Sequence, residues 1–508
     1  MADVAGHAPA PPGTPPGTLT GALAGWAAGL TLADLPPPVV ELAKSQVLSQ
    51  LAAIRAGAAH PLGARLVRAF GPPLQPDPAR SACVLAALGS WLNLDDTAYA
   101  GHLGPSTVAV PLAYAYADGL PGSRLVAAVV AANECAARLT AAATLGPLRG
   151  QSAAHTHLAG AVAGRLHCAG APAGRWVDAL GLALTMPPWP LLRGLLGSDG
   201  KLFSALAPVR AAMDACDAAL AGLTGAPDIV EHPDGFLRRF ATVALPEALT
   251  AGLGRRWHTQ TLSFKIRPGG PGVDAAVDCA VRLHAALPGL RVEDVRDVTV
   301  DASLYTLLAQ DKVRDYLDGA RSPVGALLLA TPYAVATALL TGDLTVADFR
   351  PPALDDPRRW ALAATVRLRH RPEMTRALLG SVAPFGEAIR QAGARASAWV
   401  AEFAGPDLVP AVPPAPAVLP GTADDSFAAA TKCTPARVTV RLRDGRSVSR
   451  RRDIPVGAAG PQTRAQHRRL VRRKFLASGG PAAVADAVES LERLPTADLA
   501  ALVEAALG

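Results

Sequence analysis

Apolar residues recur at three- and four-residue spacing through most of the first 251 positions, as in 125–137 and 209–223. Breaks rich in Gly and Pro separate these runs, so the period predicts many short helices rather than a few long rods. From Trp257 the texture changes. Residues 259–267 and 295–302 alternate apolar and polar positions and predict short strands, and 438–442 with 448–454 predicts a hairpin turning at Asp444-Gly445. Helical periods return at 273–287 and 333–341, and again from Arg464 to Leu507. The expected fold class is mainly α with an α+β part. The changes of pattern set its boundaries: a disordered tail at 1–18, helices over 19–257, an α+β module over 258–458 and C-terminal helices over 459–508. Within the module, 406–420 is Pro-rich and reads as a surface linker.

Composition narrows the class. A chain of 508 residues, 50% hydrophobic and only 18% charged, can bury a large core. Its Ala, Leu and Val content suits close-packed helices. No apolar run is long and uninterrupted enough to be expected to span a bilayer. The first residues lack a basic start followed by an apolar stretch and do not read as a signal peptide. The six cysteines are scattered without a CxxC pair, as expected for reduced, buried thiols in a cytoplasmic protein. The net charge of +7 is concentrated in 441–452 and 464–474, where aromatic residues are not interleaved. Those segments read as solvated faces rather than a nucleic-acid surface, and a positive field favours capture of a small anion. The glycines at 146–150 and 269–272 lack a strand-to-helix context, so no nucleotide cofactor is expected.

The densest chemistry lies in Asn93-Leu94-Asp95-Asp96-Thr97 and Gly101-His102-Leu103-Gly104-Pro105-Ser106-Thr107. Two carboxylates, an amide, an imidazole and several hydroxyls there precede a helix expected to start near Val108. A helix N-terminus offers free N–H groups to an anion; equally, Asp95, Asp96 and Ser106 suit plain helix caps. Lys201 follows Gly197-Ser198-Asp199-Gly200, a flexible turn, and Lys265 lies beside Arg267 in a strand-like segment. Lysines so placed suit carboxylate anchoring, and a desolvated one can act as a base; otherwise they are surface lysines lying along apolar patches. His155 and His157 are two apart, do not share a helix face, and have no further ligand cluster nearby, so no metal is expected. Tyr333, after Pro332, is placed to donate a hydrogen bond or a proton.

The run 94–106, continuing into Val110-Pro111-Leu112-Ala113-Tyr114, resembles the MmgE/PrpD family, which includes 2-methylcitrate dehydratases, cis-aconitate decarboxylases and iminodisuccinate epimerases. Similar motifs follow in order: the opening helices at 23–27 and 35–44, Gly197–Lys201, Ser263-Phe264-Lys265-Ile266-Arg267-Pro268, Thr331-Pro332-Tyr333, 438–445, and Arg473-Lys474-Phe475. The resemblance implies a helical domain built from both chain ends, an inserted α+β lid, a homodimer and a lyase without a cofactor. It gives catalytic roles to His102, Lys201, Lys265, Tyr333 and His157, with His155 the alternative register, and substrate contacts to Asn93, Asp96, Ser106, His155 and Arg267. The expected reaction is dehydration of a β-hydroxy (poly)carboxylic acid of the 2-methylcitrate type or a specialised analogue, with no nucleic-acid or membrane partner. Decarboxylation or epimerisation on the same pocket is the alternative within enzymes; a non-catalytic binder of a small acid or partner is the alternative outside them. Four departures bear on the choice. Asn93 replaces an Asp, Gly104 replaces a His before Pro-Ser, Ala330 stands where Ser is common, and 268–272 lacks polar residues.

Overall fold

The computed structural model describes residues 17–146, 154–270, 272–407 and 426–507. Nearly all of the expected N-terminal tail and of the Pro-rich segment lies outside these residues. The architecture is mainly helical with one small mixed sheet. Several helices start where the sequence supplies a fixed φ, and two of them also a side-chain cap. Pro37–Ala59, Pro61–Phe70 and Pro78–Ser90 each carry Pro in the first turn, and Asp77 accepts N–H bonds from Ala79 and Arg80.

The helical core joins the N-terminal helices to Pro461–Ala477 and Thr496–Leu507 from the other chain end. It also takes in apolar residues from 378–403, including Phe385 and Trp399. Small residues let the helices approach closely. A Cβ at Gly160, on the helix Ala154–Cys168, would lie 2.7 Å from Ser106 Oγ, and one at Gly164 would lie 2.8 Å from the Pro111 ring. These contacts press the 104–111 segment against that helix.

Gly122–Ala143 corrects one expectation. This helix is long and apolar enough to cross a membrane, yet its most apolar stretch is wholly buried inside the protein. Its two buried charges explain how it sits there. Glu134 accepts the backbone N–H groups of His258 and Thr259, and Arg138 donates to the carbonyls of Ala251 and Arg256 at 2.8 Å each. Residues 259–267, expected as a strand, are therefore a 3-10 turn, His258–Thr261, followed by extended chain. The N–H groups a strand would need at 258 and 259 are already bound to Glu134. Beyond the turn Ser263 makes a single bridge to Thr97, and Phe264 N–H donates to Gly457 O.

A second core forms around the sheet. Its strands run in the order Val366–His370, Val295–Ala302, Ala436–Leu442, Ser447–Arg452, the first pair parallel and the others antiparallel. The expected strand at 295–302 and the hairpin about Asp444-Gly445 are both present. Val298 and Val300 sit opposite Val440 and Val438, and the helices Val273–Ala286 and Thr331–Thr341 cover that face. Five cysteines are buried, Cys433 is half-buried, and all six are free thiols.

Candidate active site

The loop 93–102 is shaped by two left-handed residues, Asn93 at φ 49° and Tyr99 at φ 52°. Asn tolerates this region, but an aromatic side chain pays for it. Tyr99 is held by full burial and by a 2.8 Å bond between its hydroxyl and His258 Nδ1. Between these residues a minimal hairpin pairs Thr97 with His102 and Ala98 with Gly101. His102 is thereby carried back over the acidic pair. Its Nδ1 lies 2.7 Å from Asp95 Oδ2, a carboxylate with no solvent exposure. A carboxylate only accepts, so Nδ1 carries the proton and Nε2 is left as the free base. Burial lowers the His102 pKa below its ordinary value against the opposing pull of Asp95. Burial would raise Asp95, but His102, Lys265 and Lys201 outweigh it and keep the carboxyl below its usual range.

Two cavities meet at this imidazole, sharing Ala100, His102 and Tyr305 in their walls. The smaller, about 40 Å³, holds Lys265 and Lys432, with Asp274 as their nearby anion. Lys265 Nζ donates to Gly269 O at 2.7 Å and Lys432 Nζ to Thr97 Oγ1 at 2.8 Å. Burial brings the Lys432 pKa down to about 8, with Lys265 adding to the shift. The larger cavity, about 210 Å³, holds Lys201, Asn93 and His155. Lys201 is also brought to about 8, by burial and then by Lys265, while Asp95 opposes the shift. His155 packs against Phe236 and Phe240; burial brings it to about 4, and neither ring nitrogen has a hydrogen-bond partner among the described residues. Asn93 Oδ1 is likewise buried and unpartnered among them. A buried polar atom left open on a cavity wall is a place for a ligand's hydrogen bond.

The arrangement is a neutral base fixed by a carboxylate, flanked on either side by buried ammonium groups. Residues 21–247 match the MmgE/PrpD N-terminal domain, and residues 271–405 match the MmgE/PrpD C-terminal domain. The chain belongs to the MmgE/PrpD family. Lyase or dehydratase-like chemistry is typical of that family. A search of curated proteins gave no significant match.

Against that family's expected site, the structure brings together His102, Lys201, Lys265, Asn93 and His155, and leaves the others elsewhere. His155, not His157, faces the cavity. His157 is turned inward, 3.3 Å from Ser106 Oγ, with its pKa brought to about 3 by burial and by His102. Ser106 is itself fully buried on the short helix Gly104–Thr107 and lines neither cavity. Asp96 takes a different set of partners from Asp95. It accepts from Ser49 Oγ at 2.6 Å, and Lys474 Nζ donates to the same hydroxyl at 2.7 Å and to Leu94 O. Burial raises Asp96 and lowers Lys474, so this MmgE/PrpD motif lysine braces the loop from behind. Arg267 is held by Asp278 at 2.8 Å and by Asp343 on a separate cavity. Tyr333 lies in the core beside the sheet, stacked on Trp360 with its hydroxyl donating to Asp348 O. It reaches neither cavity because Thr331–Thr341 turns it toward the sheet layer.

Tyr305 and Lys432 are not singled out by residue pattern, and Asp95 is named with Asp96 but not chosen over it. Asp95 and Asp96 are equivalent until the hairpin chooses between them. Lys432 follows the Pro-rich segment and lies beyond both family matches, so only the fold brings it to Thr97.

Proposed function

We propose that this protein is a lyase, requiring no cofactor, that dehydrates a β-hydroxy carboxylic acid. The observation that carries the reading is the buried His102–Asp95 pair placed where the Lys265/Lys432 cavity meets the Lys201 cavity. In this reading the substrate carboxylate sits between the ammonium groups of Lys265 and Lys432. Their charge stabilises the negative charge that develops on the carboxylate as the neighbouring carbon is deprotonated. His102 Nε2 removes that α-proton, and Asp95 stabilises the imidazolium that forms. The C–H electron pair becomes the new C=C bond, the C–O bond at the β-carbon breaks, and Lys201 protonates the departing hydroxide. An amine with a pKa near 8 is an ammonium at neutral pH and releases a proton readily. His155 and Asn93 offer hydrogen bonds to the hydroxyl before it leaves.

A mass-spectrometric screen of purified protein against 2-methylcitrate, citrate and simpler β-hydroxy acids tests the reading. Loss of water from one of them, abolished in His102→Gln, is the expected result. Loss of carbon dioxide, or inversion seen by chiral chromatography of the same samples, would replace dehydration by decarboxylation or epimerisation. Silence across the panel from folded protein would sink the lyase assignment.

A further inference from the structure

The larger cavity carries polar groups around His102 and a further cation, Lys312. Its apolar walls are Leu192, Leu195, Leu196, Phe240, Leu308 and Leu329. A citrate-like acid would press carboxylates against these side chains without replacing their hydration, which is strongly unfavourable. An apolar chain fits instead, and the helix Leu304–Val313 indicates its direction and length. That helix turns Tyr305, Leu308, Ala309 and Lys312 toward the cavity, a spacing of i, i+3, i+4 and i+7 along one face. Tyr305 also lines the Lys265/Lys432 cavity, so it marks the reacting end. Seven residues at about 1.5 Å each set Lys312 about 10 Å farther along. Lys312 has no hydrogen bond or ion pair with a described residue, and burial lowers its pKa. The cavity thus has cations at both ends and hydrocarbon between them.

We infer that the substrate is a chain-like acid with its reacting carboxylate at Lys265 and Lys432, an apolar span along Leu308 and Leu329, and a second anionic group at Lys312. The inference rests on the lyase reading for which end reacts. At about 1.2 Å per bond, the span from Tyr305 to Lys312 corresponds to about eight bonds.

Titration calorimetry on the full chain, with unreactive straight-chain monocarboxylates and α,ω-dicarboxylates of four to twelve carbons and with citrate, tests it without turnover. Affinity is expected to rise about fourfold per methylene until the cavity is filled. The dicarboxylate of about ten carbons is expected to bind about tenfold more tightly than the monocarboxylate of equal length. Lys312→Met should erase that advantage, and Leu308→Asn should flatten the dependence on length. Affinity independent of chain length, or citrate binding more tightly than every chain, overturns the inference. The two proposals fail separately. Chains that bind but whose β-hydroxy forms lose no water count against the lyase reading alone, whereas dehydration of citrate-type acids with no gain from a chain counts against this inference alone.

Discussion

Asp95→Asn is the most direct probe of the site, because it removes one charge and leaves the shape. In the wild type, a carboxylate without solvent exposure holds His102 Nδ1 at 2.7 Å. The amide lacks the charge that stabilises the imidazolium, and it can present its NH₂ to Nδ1 and so favour the tautomer with Nε2 protonated. A hydrogen bond to a charged group contributes about 1.5–3 kcal/mol, which corresponds to roughly a 10- to 150-fold loss in kcat/KM. Asp95 also raises the pKa of both His102 and Lys201, so its removal lets both fall further. The assay is steady-state turnover of the substrate found in the screen, for Asp95→Asn, His102→Gln and the double variant. If the two residues act as one unit, the double variant loses no more than the worse single one. Activity of Asp95→Asn within threefold of wild type, or losses that simply multiply, would refute the dyad.

The pH profile should have an acid limb below the ordinary imidazole value of 6.5, where His102 becomes protonated, and an alkaline limb near 8, where Lys432 loses the charge that holds the substrate carboxylate and Lys201 the proton it donates. The alkaline limb should appear as a rising KM, and a flat KM up to pH 9.5 would count against ammonium anchoring. Lys201→Met should abolish turnover while stabilising the fold. A lysine depressed from 10.5 to about 8 destabilises the fold by an amount that builds as pH falls from 10.5 to 8 and is complete below 8, a cost of about 3 kcal/mol at pH 7, which denaturant titration of the variant should recover in part. Gly104→His should destabilise the protein by about 1–3 kcal/mol, because a Cβ there lies 2.4 Å from Gln50 Oε1; adding Gln50→Ala should restore much of the loss. Tyr333→Phe should leave turnover within twofold and cost about 1 kcal/mol of stability through the lost bond to Asp348 O, as thermal unfolding will show.

Helical period, the strand at 295–302 and the hairpin at 436–452 could be read from the chain because each is a local signal of burial on one face. The segment 259–267 alternates like a strand, but its first N–H groups belong to Glu134, more than a hundred residues away. No local pattern carries that information. The apolar length of Gly122–Ala143 was hidden for a similar reason: Asn133, Glu134 and Arg138 interrupt the run in sequence, and their partners are supplied by other elements. At the site, residue types were legible and directions were not. Lys201, Lys265 and His102 converge as their motifs suggest. His155 and His157 differ in helix phase, and all four of His155, His157, Asp95 and Asp96 are buried, so the partner or cavity that the fold supplies, and not burial, separates the members of each pair.

The two departures at 93 and 104 differ in physical standing. Gly104 does not leave a gap in the cavity. Its missing side chain would point at Gln50, whose amide is wedged between Gly104 and Gly89, where a Cβ would approach to 1.9 Å. The imidazole lost at 104 is therefore not replaced in place. The hairpin register instead sets His102 opposite Thr97, the residue that also receives Lys432 and bridges Ser263 next to Lys265. In the proposed reading, base and anchors are thus fixed through one short strand, and a two-residue shift in the motif becomes a change of geometry rather than a loss. At 93 the backbone asks for a short polar side chain in the left-handed region, which Asn and Asp satisfy equally. Choosing the amide keeps a hydrogen-bonding group on the cavity wall and removes a charge that would repel an anionic substrate. It also leaves Asp95 to raise the pKa of Lys201 against burial and Lys265. Both departures therefore fit a site that retains acid–base chemistry while presenting fewer fixed charges to the part of the substrate that does not react.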